Sequence, residues 1–250
     1  MAPDITATVL DPLLDLLFLR GQVVELEQVT PRMRAVRLSG PGLRELSWLP
    51  GQHVRVHVTD ARHPRAWVSL MRDVLRTYSI WSYDGRTLEL RILDHGDGPG
   101  ARWLRGLAVG DEVMLGKPEG RLVLAEAAPY HLFAGEETAA VAFGAMLRAL
   151  PAGTPAYGVI EVAGEPDRLA LPRGTDLTWS YRGGRTAADS ATLVAAVREL
   201  PLPAEPGVAY VAGEARTCQA VRAHLVRERG WPRRSVVVKP FWAPGRRGMD

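Results

Sequence analysis

Three residues close together on a predicted strand carry side chains that suit a flat ring and a phosphate group. They lie in the stretch Arg76-Thr77-Tyr78-Ser79. The tyrosine ring offers a face for stacking, and the serine hydroxyl can form a hydrogen bond with the edge of a ring. The arginine, on the tyrosine side of the strand, can meet a phosphate. This spacing predicts a surface that binds a planar ligand carrying phosphate.

A glycine-rich turn follows the next predicted strand, in the sequence HGDGPGARW from His95 to Trp103. Its glycines allow the backbone to approach a ligand closely, and Pro99 suits the first residue of a short helix. The N-terminus of a helix favours anions, because its first N–H groups have no partner within the helix. We therefore expect this turn to face a diphosphate.

The composition fits one large globular domain or two small ones. The chain has 250 residues, of which 46% are hydrophobic and 24% charged, with a net charge of +3. Its basic residues are interspersed with acidic ones, so the pattern does not favour a nucleic-acid partner. The single cysteine, Cys218, excludes an internal disulfide and a cysteine cluster for metal. We predict a packed thiol and no metal site.

The N-terminal segment, residues 1–20, is apolar but too short to span a bilayer. Asp11 and Pro12 suit the start of a helix whose leucines dock on the protein or on a partner. The pattern predicts no membrane insertion, and we expect a cytoplasmic protein. The oligomeric state cannot be read from the sequence.

The remaining chain divides into two halves with different hydrophobic periods. Residues 21–127 contain six or seven short alternating segments, among them QHVRVHVT, RTYSIWS and RLVL, which predict a small antiparallel β-barrel. Residues 128–250 alternate strand-like and helix-like segments, which predict a parallel sheet with crossover helices. The fold class is thus a barrel domain followed by an α/β domain.

Two strands of the second half end in the same residues, Ala-Gly-Glu, at Gly135-Glu136 and Gly213-Glu214. Ligands of parallel sheets bind at the carboxyl ends of the strands, so the repetition indicates a ligand edge. The alternative is that each glycine only turns the chain into a helix. No G-x-G-x-x-G follows the first strand, so the usual dinucleotide fingerprint is absent.

A barrel followed by a parallel α/β domain is the plan of flavin reductases, in which the barrel holds the flavin and the second domain delivers a nicotinamide. The chain from about Gly21 to Gly245 resembles the siderophore-interacting protein family of ferric-siderophore reductases, relatives of ferredoxin–NADP reductases. The resemblance is carried by the segments PGQHVRV, RTYSIW, HGDGPGARW, AGEETAAVA, LTWSYRGG, YVAGEARTCQAVRAHLVRERG and KPFWAPG.

The resemblance implies two cofactor surfaces and one substrate surface. The residues implied to contact FAD or its diphosphate are Arg76, Tyr78, Ser79, Trp81, His95, Gly96, Gly98, Pro99, Gly100, Ala101 and Trp103. Tyr78 and Ser79 are placed at the reacting ring. Those implied to face the NADH or NADPH cleft are Gly135, Glu136, Glu137, Thr138, Gly213 and Glu214, with Trp242 near the flavin. Candidates to meet an anionic substrate include Arg62, Arg65, Lys117, Lys239, Arg246 and Arg247.

Three positions depart from the family pattern. Trp81 stands where the family has a second arginine, Ala101 where it has a serine, and Phe241 where it has a tyrosine. On a regular strand Trp81 shares the face of Ser79, so we expect its indole in or beside the cofactor pocket. The alternative is that it fills the barrel interior.

Three functions remain open at the level of sequence. The first is an FAD-dependent, NAD(P)H-linked reductase of ferric siderophores or similar ferric chelates. The second is a related flavoprotein that acts on an organic substrate in secondary metabolism, with or without net redox chemistry, because the three departures make the site more apolar. The third is a siderophore or flavin carrier without enzymatic activity. The charges of Glu161, Arg182 and Arg185 leave the choice between NADPH and NADH open.

Overall fold

The computed structural model describes residues 18–58, 75–125 and 127–246. Most of the predicted N-terminal helix lies outside these residues, as do Arg62, Arg65 and Arg247. The described chain begins almost directly with a strand at Leu19, two residues before the predicted domain boundary.

The first half is a closed antiparallel barrel, as the alternating pattern predicts. Its strands are β1 (Leu19–Thr30), β2 (Met33–Ser39), β3 (His53–His57), β4 (Leu75–Tyr83), β5 (Thr87–Leu93) and β6 (Glu112–Leu115). They pair in the order β1-β2-β5-β4-β3-β6. The barrel interior is filled by the inward residues of each strand, such as Val54, Val56, Ile80 and Leu90, which are fully buried. Helix α1 (Pro99–Gly106) lies between β5 and β6.

The segment Arg121–Leu124, predicted as a strand, is irregular. The barrel is already closed by the pairing of β6 with β1 and β3, and only Glu119 adds a bridge to His53. Leu122 turns away and is buried in a cluster with Met146 and Leu147 of the second domain. The hydrophobic residues of this segment therefore pack between the domains and do not form a strand.

The second half is a parallel five-stranded sheet, again as predicted. Its strands are β7 (His131–Glu136), β8 (Ala156–Val162), β9 (Thr178–Tyr181), β10 (Val208–Glu214) and β11 (Val236–Trp242), in the order β11-β10-β7-β8-β9. The helices are α2 (Glu137–Ala149), α3 (Ala191–Arg198) and α4 (Ala215–Ala223), the last continued by a π-helical turn at His224–Glu228. Cys218 is buried in α4.

Helix α3 begins later than its sequence predicts. The periodic segment starts at Ala187, but Asp189 has a positive φ of 51°, and Ser190 is the N-cap, accepting a hydrogen bond from the amide of Leu193 at 3.1 Å. A local cap therefore sets the helix start.

The barrel and the sheet share one hydrophobic cluster. Met33, Trp81 and Leu122 of the barrel are buried together with Phe143 and Met146 of α2. Arg32, in the β1–β2 turn, also donates to Glu137 at 2.6 Å and to Asp167 at 3.0 Å, both in the sheet domain. Apolar and ionic contacts together fix how the carboxyl edge of the sheet faces the barrel.

No helix of the described chain is long and apolar enough to cross a membrane.

Candidate functional site

Strand β4 holds Tyr78 against helix α1. Tyr78 pairs with Val54 of β3 and packs on the barrel core. Its ring stacks on Trp103, with ring centres 6.1 Å apart and planes 18° from parallel. Burial raises the pKa of the Tyr78 phenol above its usual value, so the hydroxyl stays protonated and can donate a hydrogen bond at neutral pH.

The start of α1 is shaped around Tyr78. A Cβ atom on Gly100 would lie 2.5 Å from the tyrosine hydroxyl oxygen, so only glycine allows this approach. The N-cap residue, Gly98, has no side chain with which to cap the helix, Pro99 opens it, and its first turn contains no acid. The amide groups at this helix end are therefore accessible to an external anion.

The remaining barrel residues of the predicted site lie around this point. Ser79 pairs with His53 across β3 and is half-buried on the strand face opposite to Tyr78. Arg76 is half-buried and donates to the carbonyl of Leu75 at 2.8 Å.

His95 and Gly96 are exposed in the turn before α1, and Ala101 is buried in the helix. Within the turn, Arg105 forms ion pairs with Asp94 at 2.8 Å and with Asp97 at 3.0 Å.

Trp81 lies away from Tyr78 and α1, in the contact between the domains. The pairing of β4 with β5 has a β-bulge between Ile80 and Ser82, so regular alternation ends at Trp81. The guanidinium carbon of Arg91 lies 3.6 Å from the centre of the indole ring, and that of Arg148 lies 4.7 Å away. Gly144 of α2 leaves room for the ring.

With 4% of its surface exposed, Trp81 has no free face for a cofactor. Its position thus differs from both sequence-based expectations, the cofactor pocket and the barrel interior. The physical reason is that the side of β4 away from the barrel core, where Ile80 lies, is covered by α2, and the indole packs there.

At the carboxyl edge of the sheet, Glu136 caps α2. Its carboxylate accepts hydrogen bonds from the amide of Thr138 at 2.9 Å, from the Thr138 hydroxyl at 2.5 Å and from the indole N–H of Trp242 at 2.9 Å. Burial and the neighbouring Glu137 raise the pKa of Glu136 to about 7. Gly135, just before it, packs against Ala139 and the β10 backbone.

Glu137 is buried at the first position of α2 and is neutralised by arginines. Arg182, just after β9, holds both carboxylate oxygens, at 2.5 and 2.7 Å. Arg32 of the barrel adds a third contact. Because both partners of the Arg182 pair are less than one tenth exposed, Glu137 is a structural counter-charge rather than a surface acid.

Glu214 caps α4 in the same way as Glu136 caps α2. Its carboxylate accepts from the Thr217 amide at 2.9 Å, the Thr217 hydroxyl at 3.0 Å and the Asp189 amide at 3.0 Å. Burial opposes ionisation, but the backbone hydrogen bonds outweigh it and hold the pKa of Glu214 below its usual value. Gly213 has a φ of 119°, and a Cβ there would lie 2.8 Å from Glu136 Oε1.

Lys239 and Arg246 lie near this edge, in β11 and in the segment after it. Lys239 is half-buried beside Ala212 of β10, and Arg246 is exposed.

Three further residues take part in this edge although the sequence assigns them no role there, namely Arg32, Asp189 and Ser190. The Arg32–Glu137 contact joins residues far apart in the chain, and no local signal indicates it. Ser190 carries the ordinary signal of an N-cap residue before a helical period. Its hydroxyl also donates to Glu161 at 2.5 Å, which with the burial of Glu161 removes that acid from the surface.

The barrel side of the molecule fits an FAD group on its own geometry. An aromatic ring, a neighbouring hydroxyl and an arginine lie on β4, and an uncapped helix N-terminus lies beside the hydroxyl of that ring. The family comparisons agree with this placement. A model of the siderophore-interacting FAD-binding domain matches residues 22–122, and a model of the siderophore-interacting protein matches residues 128–245.

The chain belongs to the siderophore-interacting protein family. A relative from Mycobacterium tuberculosis is 33% identical over 190 residues, which cover 70% of this chain and 67% of the relative. Ferric vibriobactin reductase ViuB of Vibrio cholerae is 31% identical over 182 residues, or 70% of this chain and 66% of the reductase. A siderophore utilization protein from T. fusca has 25% identity and a TM-score of 0.79, over 93% of this chain and 95% of that one.

These family members confirm the predicted family and fold class. They do not favour the alternative of a flavoprotein recruited to an organic substrate.

Proposed function

We propose that this chain is an FAD-dependent reductase that uses NADH or NADPH to reduce ferric siderophores or similar ferric chelates. The observation that carries the proposal is the uncapped N-terminus of α1, which begins beside the hydroxyl of Tyr78. It supports a diphosphate site next to an aromatic ring, as a flavin dinucleotide requires. The family match and the reductase among the relatives support the substrate class.

The residues of the chain have separate roles in this proposal. The start of α1 binds the diphosphate through its amide groups, and Arg76 adds a positive charge. Tyr78 offers a ring that Trp103 holds in a fixed orientation. In this proposal the Ser79 hydroxyl, on the other face of β4, hydrogen-bonds the edge of the flavin ring.

The chemistry that FAD supplies when bound is to take two electrons as one hydride and to release them one at a time, so that one nucleotide reduces two ferric ions. The chain's own task is to hold the two ligands and exclude water between them. Arg32 and the cluster around Trp81 contribute by fixing the sheet against the barrel. Lys239 and Arg246 provide positive charge for an anionic ferric complex.

A test of this function begins with the cofactor. Mass spectrometry of the chromophore released from the purified protein should show FAD, because a mononucleotide would not need the diphosphate seat. FMN as the sole chromophore would contradict the proposal. The Tyr78→Ala variant should bind FAD about 1–3 kcal/mol more weakly by calorimetry. Tyr78→Phe, which retains the ring, serves as the matched control.

The second part of the test is turnover. Under anaerobic conditions NADH or NADPH should bleach the flavin absorbance, and a ferric catecholate should then restore it while a ferrous chelator reports Fe(II). A flavin that is bleached but is not reoxidised by any ferric chelate would contradict the substrate class. A flavin that neither nucleotide reduces would contradict the reductant.

A further inference from the structure

Trp81 contacts two arginines that come from different domains. Arg91, in β5 of the barrel, and Arg148, in α2 of the sheet domain, both place their guanidinium groups over the indole ring. Arg148 also donates to the carbonyl oxygen of Trp81 at 2.9 Å. Burial and the nearby Arg91 lower the pKa of the Arg148 guanidinium, which shows that the two charges oppose each other. The indole and the carbonyl of Trp81 offset this repulsion, because both attract cations.

A row of ion pairs on the outer face of the barrel fixes the position of Arg91. Its Nε atom donates to Glu89 at 2.8 Å, and Glu89 also accepts from Arg37 at 3.0 Å. Arg37 pairs in turn with Glu25 in β1. Because the side chains of Arg91 and Glu89 are 14% and 10% exposed, solvent screens their pair only weakly. The barrel therefore presents to Trp81 a guanidinium that its own neighbours hold in place.

The helix side of the contact is matched to the size of the indole. Gly144 of α2 faces the ring, and a Cβ atom at this position would overlap the six-membered part of the indole. Only glycine allows the helix to approach β4 so closely, since a larger residue collides with a rigid ring. Gly144 and Arg148 lie four residues apart, on one face of the helix. The side chain of Trp81 thus sets the distance between β4 and α2.

Strand β4 and helix α2 also carry the two sides of the proposed cofactor cleft. Ser79 precedes Trp81 by two residues, or about 7 Å along the strand. Gly144 follows Glu137, the first residue of α2, by seven residues, or about 10 Å along the helix. A shift of the helix at Gly144 therefore also moves its start. Hydride transfer needs reacting atoms about 3–3.5 Å apart, and a misplacement of about 1 Å lowers such rates on the order of a hundredfold.

We propose that Trp81 is a positioning residue for hydride transfer, and that its contacts with Arg91, Arg148 and Gly144 set the distance between the flavin on β4 and the nicotinamide at the start of α2. This inference rests on the proposed function. The side chain of Trp81 is 4% exposed and leaves no surface for either ligand. It therefore acts on the rate of transfer rather than on the affinity for flavin or nucleotide.

The first test separates transfer from binding. In anaerobic stopped-flow experiments, Trp81→Leu should lower the limiting rate constant for flavin reduction by NADH or NADPH about 10–100-fold. The dissociation constants of FAD and of the nucleotide should stay within about threefold of the wild-type values, and reduction by dithionite should keep its rate. Trp231→Leu truncates a similarly buried tryptophan in another cluster of the sheet domain. It is the matched control and should leave the limiting rate constant unchanged.

The second test exchanges size between the two partners. Gly144→Ala forces α2 away from the ring and should by itself slow hydride transfer. In Trp81→Leu the space left by the indole accepts the added methyl group, so the double variant should transfer hydride at least about threefold faster than Trp81→Leu. A double variant no faster than Trp81→Leu, or a wild-type rate in Trp81→Leu, would overturn the inference. If Trp81→Leu does not fold, a wild-type rate in Gly144→Ala overturns it.

The third test measures the distance between the domains and needs no nucleotide. Spin labels are attached to Arg86→Cys and Glu205→Cys, at exposed positions of the barrel and the sheet domain, in full-length protein that also carries Cys218→Ala. By double electron–electron resonance, Trp81→Leu should shift or broaden the distance distribution by about 1 Å or more, whereas Trp231→Leu should not.

An unchanged distance distribution in Trp81→Leu would contradict the role of Trp81 in positioning. Failure of the proposed function is distinguishable from this outcome, because it shows as a wild-type flavin that neither NADH nor NADPH reduces. The distance measurement does not depend on that reaction.

Discussion

The helix that starts in the barrel and the helices that start at the sheet edge differ in what occupies their N-termini. Helix α1 begins with Gly98 and Pro99 and has no acid in its first turn. Helices α2 and α4 begin with buried glutamates, each of which accepts a hydrogen bond from an amide group of its own helix. All of these ends carry the same partial positive charge. The first is available to an external anion, and the others already have an internal hydrogen-bond acceptor.

This difference shows that a helix N-terminus is open to an external anion only where the protein's own side chains do not cap it. The carboxyl edge of a parallel sheet is the usual place for a dinucleotide diphosphate, yet here it is capped with carboxylates. In the proposed function the diphosphate binds instead in the barrel domain, where Gly98 and Pro99 leave the helix start uncapped beside Tyr78. The sheet edge is stabilised by its own side chains, whereas the start of α1 would be stabilised by its ligand.

The largest expected effect comes from removing a counter-charge at the capped edge. Arg182→Met leaves Glu137 buried without its bidentate partner, and we expect it to lower the free energy of unfolding by about 3–5 kcal/mol. Denaturant unfolding measures this change. Arg198→Met removes an exposed ion pair to Glu228 and should cost much less, because solvent screens that pair. Equal losses in the two variants would show that the carboxylates at the sheet edge are not structural.

The next effect is the pH dependence that Glu136 gives to stability. Burial raises the pKa of Glu136 to about 7 from an ordinary value of 4.5. The unfolded chain therefore releases this proton at lower pH than the folded chain does. Wild-type stability should fall relative to Glu136→Gln as pH rises from about 4.5 to 7, by about 3 kcal/mol, and stay level above that range.

Thermal unfolding of both proteins across pH 4 to 8 measures this difference. A wild-type protein that gains stability relative to Glu136→Gln over the same interval would contradict the burial of an acid at this cap.

A smaller effect is expected at the open end. Gly100→Ala places a methyl group against the Tyr78 hydroxyl and should weaken FAD binding at least about tenfold, or 1.4 kcal/mol. Gly106→Ala, in the same helix, meets no atom within 4 Å and should leave FAD affinity unchanged. Adding Tyr78→Phe to Gly100→Ala removes the colliding oxygen and should restore part of the affinity. If the double variant binds FAD no more tightly than Gly100→Ala, the contact with the Tyr78 hydroxyl is not the reason that position 100 requires glycine.

The sequence predicts the elements of this molecule better than the contacts between them. Period-2 and period-3.6 patterns are local, so the barrel, the parallel sheet and the glycine turn before α1 follow from them. Trp81 shows the limit, because alternation indicates its side of the strand but not that α2 covers that side, where the indole packs against Gly144. The repeated Ala-Gly-Glu ends indicate the correct edge of the sheet, but not that the glutamates cap helices.

Arg32 shows the same limit in another way. Its partners Glu137 and Asp167 are brought near only when the barrel docks on the sheet, and a single sequence contains no local trace of that pairing.

The most direct test of the contrast between the helix ends is a comparison of FAD and riboflavin by amide NMR of the labelled protein. Riboflavin has the ring without the diphosphate, so amides that shift with FAD but not with riboflavin locate the phosphate groups. We expect such shifts at the amides of Gly100 and Ala101 in α1, and none at the amides of Thr138 and Thr217. Phosphate-dependent shifts at Thr138 or Thr217, with Gly100 and Ala101 unchanged, would contradict it.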